Sequence, residues 1–118
     1  MEKITKTRWG YYDVLYEEPG VKVKKLYIDV DKELSNQRHF KRSEHWFILQ
    51  GHLKLILERD NIKFDYDLHK GDSIDIEVGT WHYPINGGDE PVVVIETQYG
   101  EDCVEEDIER KEWKKLED

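Results

Sequence analysis

Four stretches of this 118-residue chain carry apolar side chains at every second position. They are Leu26-Tyr27-Ile28-Asp29-Val30, Leu53-Lys54-Leu55-Ile56-Leu57, Ile62 through Leu68, and Ile74-Asp75-Ile76-Glu77-Val78. Period-two alternation over so few residues gives a strand one apolar face, and it cannot give a helix one. Arg59-Asp60-Asn61, between the second and third stretches, predicts a hairpin turn. Gly20, Gly51, Gly71, Gly79 and Gly87-Gly88 punctuate the remainder. Many short strands divided by turns predict an all-β antiparallel sandwich or barrel, and the length predicts a single domain over residues 1–118.

Two runs, Trp46-Phe47-Ile48-Leu49 and Val92-Val93-Val94-Ile95, are apolar on both faces. One face fills the barrel and the other needs cover. Either a second copy of the chain, giving a homodimer, or the N-terminal arm from Trp9 to Tyr16 could supply it. Asp102 to Leu116 is highly charged, with sparse apolar residues at Val104, Ile108, Trp113 and Leu116, and predicts a short C-terminal surface helix.

The net charge of −9 argues against nucleic acid as a partner, because phosphate backbones need a basic footprint. A small phosphorylated ligand needs only two or three local cations. One cysteine, Cys103, cannot form an internal disulfide and suits a reducing compartment. No apolar run reaches membrane-spanning length and no leader pattern follows the first residues, so the expectation is a cytoplasmic protein without a membrane partner.

Gln37, His39, Glu44 and His82 are the residues most suited to chemistry. Gln37 and His39 lie two apart, so on a strand they share a face. Glu44 opens the apolar run, and His82 follows in a glycine-headed loop. Two imidazoles, a carboxylate and an amide oxygen suit one divalent first-row ion: Zn, Mn, Fe, Co or Ni.

The spacing resembles the two motifs of cupins. Gln37-x-His39 is followed by Glu44 after four residues and Gly51 after six more. The second motif reads Gly71, Glu77-x-Gly79, His82 and Asn86. Gln37 stands where cupins most often have histidine, and Glu77 replaces a proline. Within cupins, Gln37-x-His39-x-x-Arg42-x-Glu44-His45-Trp46, Gly79-Thr80-x-His82 and Val94-Ile95-Glu96-x-Gln98-x-Gly100-Glu101 resemble the C-terminal domain of type II phosphomannose isomerases. Glu106-Asp107-Ile108-x-Arg110 extends the likeness, so that it covers roughly residues 8 to 110. None of the matching residues belongs to the guanylyltransferase domain that commonly precedes this one in the family. That chemistry is therefore not carried over. Asp102-Cys103-Val104 and Glu109 depart from the family pattern.

The resemblance implies a jelly-roll (double-stranded β-helix) barrel, a bound metal, and interconversion of mannose 6-phosphate and fructose 6-phosphate. That reaction needs a base and a means of stabilising a negative oxygen. Glu96 and Gln98 share one strand face with Val92 and Val94; if that face looks inward, Glu96 is the candidate base and Gln98 its orienting group. Arg42, between His39 and Glu44, is expected to serve both catalysis and phosphate binding through its guanidinium fork. Lys24, which shares a face with Lys22, is a further candidate for phosphate, and Arg110 matches the family's late arginine. His45, His52 and His69 read as surface residues, and Trp46 and Trp81 as pocket walls or core. Two other functions fit the same ligands: a non-catalytic cupin that binds a sugar or sugar phosphate, and a metal-dependent dioxygenase.

Overall fold

The computed structural model describes residues 4–111. Eleven strands fold into two antiparallel sheets: β1 (Ile4–Thr7), β2 (Gly10–Glu18), β3 (Val21–Ile28), β4 (Gln37–Arg38), β5 (Arg42–Gln50), β6 (His52–Arg59), β7 (Ile62–His69), β8 (Ser73–Ile76), β9 (Trp81–Ile85), β10 (Val92–Gly100) and β11 (Glu109–Arg110). One sheet runs β1-β2-β3-β10-β5-β8 and the other β11-β4-β9-β6-β7. Between them lies an apolar core that includes Leu26, Ile28, Trp46, Ile48, Leu53, Leu55, Val92 and Val94.

The alternating runs become strands, except at two ends. Val30 and Val78 lie beyond β3 and β8 and are exposed, so the pattern overshoots there by one pleat. Asp60 and Asn61 both adopt left-handed backbone (φ 53° and 64°) in the turn from β6 to β7. Two such residues match the twist of the flanking strands, and Asp and Asn tolerate the conformation. Gly10 has a different reason to be glycine. A Cβ there would lie 1.9 Å from the Tyr27 carbonyl oxygen, on the strand paired beside it.

The predicted C-terminal helix is absent from residues 102–111, and its remainder, 112–118, lies outside the described residues. Residues 101–108 instead run as an irregular loop into β11, which pairs with β4. The apolar residues that suggested a helix face do not act together. Val104 is exposed, whereas Ile108 faces the cavity described below.

The N-terminal arm does not cover β5 and β10. It continues the sheet sideways as β1 and β2. Phe47, Leu49 and Tyr99 therefore stay exposed on that outer face. Among the described residues, no helix is long and apolar enough to cross a membrane.

Candidate active site

Register places the polar groups inside the barrel. Lys24 sits opposite Glu96, and Glu96 opposite Trp46; one pleat further along, Lys22 faces Gln98, and Gln98 faces Glu44. All six side chains point inward and are buried. Towards the other end the same three strands contribute Leu26, Val94 and Ile48, then Ile28 and Val92. The interior is thus apolar at one end and ionic at the other.

The ionic end opens into a cavity of about 650 Å³. His39, Arg42, Lys24, Glu96, Gln37 and Arg110 all line it, so it gathers residues from β3, β4, β5, β10 and β11. The second motif closes against the first at one turn. Gly79, at φ 84°, donates its N–H to the His39 carbonyl at 2.8 Å. The proline expected at 77 is replaced by a tie of another kind, because Glu77 pairs with Arg59, which also donates to the Val78 carbonyl.

Three of the four expected ligands converge. His39, Glu44 and His82 offer donor atoms that all lie within 4.8 Å of one another, and all three are buried. Gln37 lies beside His82 in the β4–β9 pairing and lines the same cavity, but its Oε1 accepts the Ser35 hydroxyl at 2.9 Å. Both imidazoles are fixed in one tautomer. Nδ1–H of His39 donates to the Asp107 carbonyl at 2.7 Å, and Nδ1–H of His82 donates to the Thr80 carbonyl at 3.1 Å. Each Nε2 therefore carries a lone pair. That of His39 lies 3.2 Å from Glu44 Oε2, and that of His82 lies 3.8 Å from Glu44 Oε1.

Burial above all holds both histidines at about 4, and the Arg42 charge adds to it. They are neutral near pH 7, the form that binds metal. His82 Nε2 is buried and has no hydrogen-bond partner. The Arg42 guanidinium already spans His39 Nε2 and Glu44 Oε2, but His82 Nε2 faces Glu44 with no donor, and a buried orphan acceptor costs about 1–3 kcal/mol. The donor set therefore fits a divalent ion. Carbonyl partners on the far ring nitrogens are the usual means of orienting such ligands.

Glu44 is held as tightly. Trp46 Nε1 donates to its Oε1 at 2.9 Å, and Arg42 Nε donates to its Oε2 at 3.0 Å. Arg42 also reaches His39 Nε2 (3.1 Å) and the Val104 carbonyl (3.2 Å). The face left open by the sequence turns inward: Glu96 and Gln98 are both buried, and Gln98 Nε2 donates to Glu96 Oε1 at 3.3 Å. Burial, then the charge and hydrogen bond of Glu44, push the Glu96 carboxyl up to about 8.

The phosphate candidates divide. Lys24 is buried, lies 4.1 Å from the Tyr12 ring centroid, and pairs with Glu105 at 2.7 Å. Arg110 is exposed at the cavity rim. His45, His52 and His69 are at the surface, paired with Asp75, Asp67 and Asp72. Trp46 is core and Glu44 partner at once, while Trp81 lies between Arg38 and Lys111 and is not among the residues that line the cavity. Cys103 is buried and its thiol is pushed up by that burial.

Sequence reasoning gave Asp107 no role beyond the family likeness and missed Glu105. Both sit in the segment read as helix, and carboxylates in so charged a stretch look like solvated surface.

The comparisons with known proteins identify the family and the fold. Residues 2–113 match the family described as mannose-6-phosphate isomerase C-terminal. A putative mannose-1-phosphate guanylyltransferase of Vibrio cholerae is 33% identical over 104 residues, covering 88% of this chain and 22% of that protein. Mannose-1-phosphate guanylyltransferase of Escherichia coli K12 is 33% identical over 102 residues, with coverage of 86% and 20%. The chain thus spans about a fifth of the length of these relatives. The capsular polysaccharide assembling protein CapF of Staphylococcus aureus has the same fold, with a TM-score of 0.83 over 96% of this chain and 35% of that one, at 19% identity. On the strength of a match that runs nearly end to end, this chain belongs to the mannose-6-phosphate isomerase C-terminal family, on a cupin fold.

Proposed function

We infer that the chain is a metal-dependent sugar-phosphate isomerase that interconverts mannose 6-phosphate and fructose 6-phosphate. One observation carries the reading: a single cavity brings Glu96, a carboxyl able to take and return a proton, within the same walls as His39 of the ligand cluster and the cations Arg42 and Lys24.

His39, Glu44 and His82 would hold the ion, with Gln37 at the cavity wall as the weakest donor. A divalent ion bound there would polarise the sugar oxygens and stabilise negative charge on them. Glu96 removes the proton from C2 of the open-chain aldose and returns it to C1, while the hydroxyl proton passes from O2 to O1. The elemental composition is unchanged. Gln98 orients the Glu96 carboxyl by donating to its Oε1, and Arg42 and Lys24 hold the phosphate. Arg110 closes the rim.

The ionic lining speaks against the dioxygenase alternative, which has no need of phosphate-binding cations. A non-catalytic sugar-phosphate binder is the second reading, and one observation favours it: Arg42 and Lys24 already have carboxylate partners in Glu44 and Glu105. The discriminating experiment is a coupled assay of fructose 6-phosphate formation from mannose 6-phosphate, with Zn, Mn, Co or Fe supplied in turn. Turnover with at least one metal is expected. No turnover with any of them transfers the conclusion to the binding module.

A further inference from the structure

The two lysines of β3 are unusual. Lys22 and Lys24 face inward with side chains only 9% and 6% exposed, at the ionic end of the barrel. A buried ammonium needs a counter-charge; across β10 register puts Gln98 opposite Lys22 and the raised carboxyl of Glu96 opposite Lys24, and across β2 it puts Glu17 and Val14. The carboxylate that reaches both lysines comes from the loop after β10. Glu105 Oε2 lies 2.7 Å from Lys24 Nζ and 3.5 Å from Lys22 Nζ. Glu17 is the other carboxylate near Lys22, at 3.5 Å, and its side chain is half exposed. The Glu105 side chain is also half exposed and lines the cavity.

The third cation is close by. Arg42 donates to the carbonyl of Val104, the residue before Glu105. Burial tends to push the Glu105 carboxyl up, but the Lys24 hydrogen bond and the charges of Lys24, Lys22 and Arg42 hold it below its ordinary value. Three positive groups thus converge on one carboxylate. That carboxylate hangs from a loop rather than from a strand of the barrel.

We propose that Lys22 and Lys24, with Arg42 beside them, form an anion subsite, and that Glu105 is its built-in occupant, displaced when a phosphate monoester or carboxylate arrives. The identity of the anion as a sugar phosphate rests on the isomerase reading above. The subsite itself requires neither turnover nor metal. Glu105 has the solvent-facing freedom to leave, and the lysines do not. The departing carboxylate returns to water while the ligand takes over its hydrogen bonds, so the loop around residue 105 reports on occupancy.

The test is titration calorimetry with inorganic phosphate on the full chain, without added metal. Glu105→Gln should bind phosphate about tenfold more tightly than wild type, because a charge-assisted competitor is removed. Glu106→Gln, which changes the net charge equally at an exposed neighbour, should leave the affinity within about twofold. Lys24→Met in the Glu105→Gln background should abolish the gain. Unchanged or weaker phosphate binding in Glu105→Gln would overturn the proposal, as would an equal gain in Glu106→Gln. A silent isomerase assay alongside a tenfold gain would sink the activity and keep the subsite; the opposite pair of results would do the reverse.

Discussion

Asp107 holds His39 from two directions. Its carbonyl accepts the Nδ1–H of His39 at 2.7 Å, and its carboxylate accepts the backbone N–H groups of Phe40 and Lys41, both at 2.9 Å. One residue from the loop after β10 therefore fixes both the tautomer of a ligand and the turn that leads into β5. Asp107→Ala should cost about 1–2 kcal/mol of stability, since two part-buried donors lose a charged acceptor. It should also weaken divalent metal binding by about 10- to 100-fold. Urea unfolding and a Zn or Co titration measure the two effects separately. Intact metal affinity in a destabilised variant would confine Asp107 to a folding role.

Purified protein is expected to carry about one divalent ion per chain. His39→Ala and His82→Ala should each lose it in elemental analysis, and retention in either would refute that ligand. Trp46→Phe keeps most of the core volume but removes the hydrogen bond to Glu44 Oε1. It should weaken metal binding by about tenfold while the chain stays folded.

Kinetics should separate Arg42 from Glu96. Glu96→Gln keeps shape and hydrogen bonding but cannot take a proton, so kcat should fall by about 10²- to 10⁴-fold with little change in KM. Arg42→Ala should raise KM for the phosphosugar by about tenfold or more. An unchanged KM would remove Arg42 from the phosphate role, and an unchanged kcat in Glu96→Gln would move the proton transfer elsewhere.

Asn86 shows that the last residue of the second motif serves the fold. It is buried, its Nδ2 lies 3.0–3.1 Å from the carbonyls of Ile28, Asp29 and Glu90, and its Oδ1 accepts the Gly88 N–H. Asn86→Asp puts an acid where three carbonyl oxygens converge. A loss of about 3 kcal/mol is expected in chemical denaturation. A loss below about 1 kcal/mol would show that the loop after β9 is held by something else.

The outer face of β5 and β10 yields a prediction about assembly. Phe47 lies opposite Ile95 across the β5–β10 ladder, and Leu49 is exposed close by. Since the N-terminal arm extends the sheet instead of covering it, a second copy of the chain is the expected cover. Light scattering after gel filtration should give a dimer mass, and Leu49→Glu should give a monomer with its metal intact. A monomeric wild type at high micromolar concentration would exclude this interface.

Legibility followed period and spacing. The strands were readable because alternation leaves a direct mark on sequence, and the β6–β7 turn because Asp60 and Asn61 tolerate left-handed backbone. His39, Glu44 and His82 were readable because their separations are set by strand length and loop closure. The segment from Glu101 to Lys111 was not. Its carboxylates are consumed by partners 66 or more positions away, as with Asp107 and Lys41 or Glu105 and Lys24. No local pattern records a bond of that reach.

The division of the interior into an oily end and an ionic end has a consequence for anyone who would harden this molecule against heat. Its simplest improvements lie where the proposed chemistry does. Leucine or methionine at Lys22 and Gln98 would trade buried charge and an orphaned amide oxygen for ordinary packing. Endurance and the proposed anion and substrate contacts would then trade against each other along a single axis of the barrel.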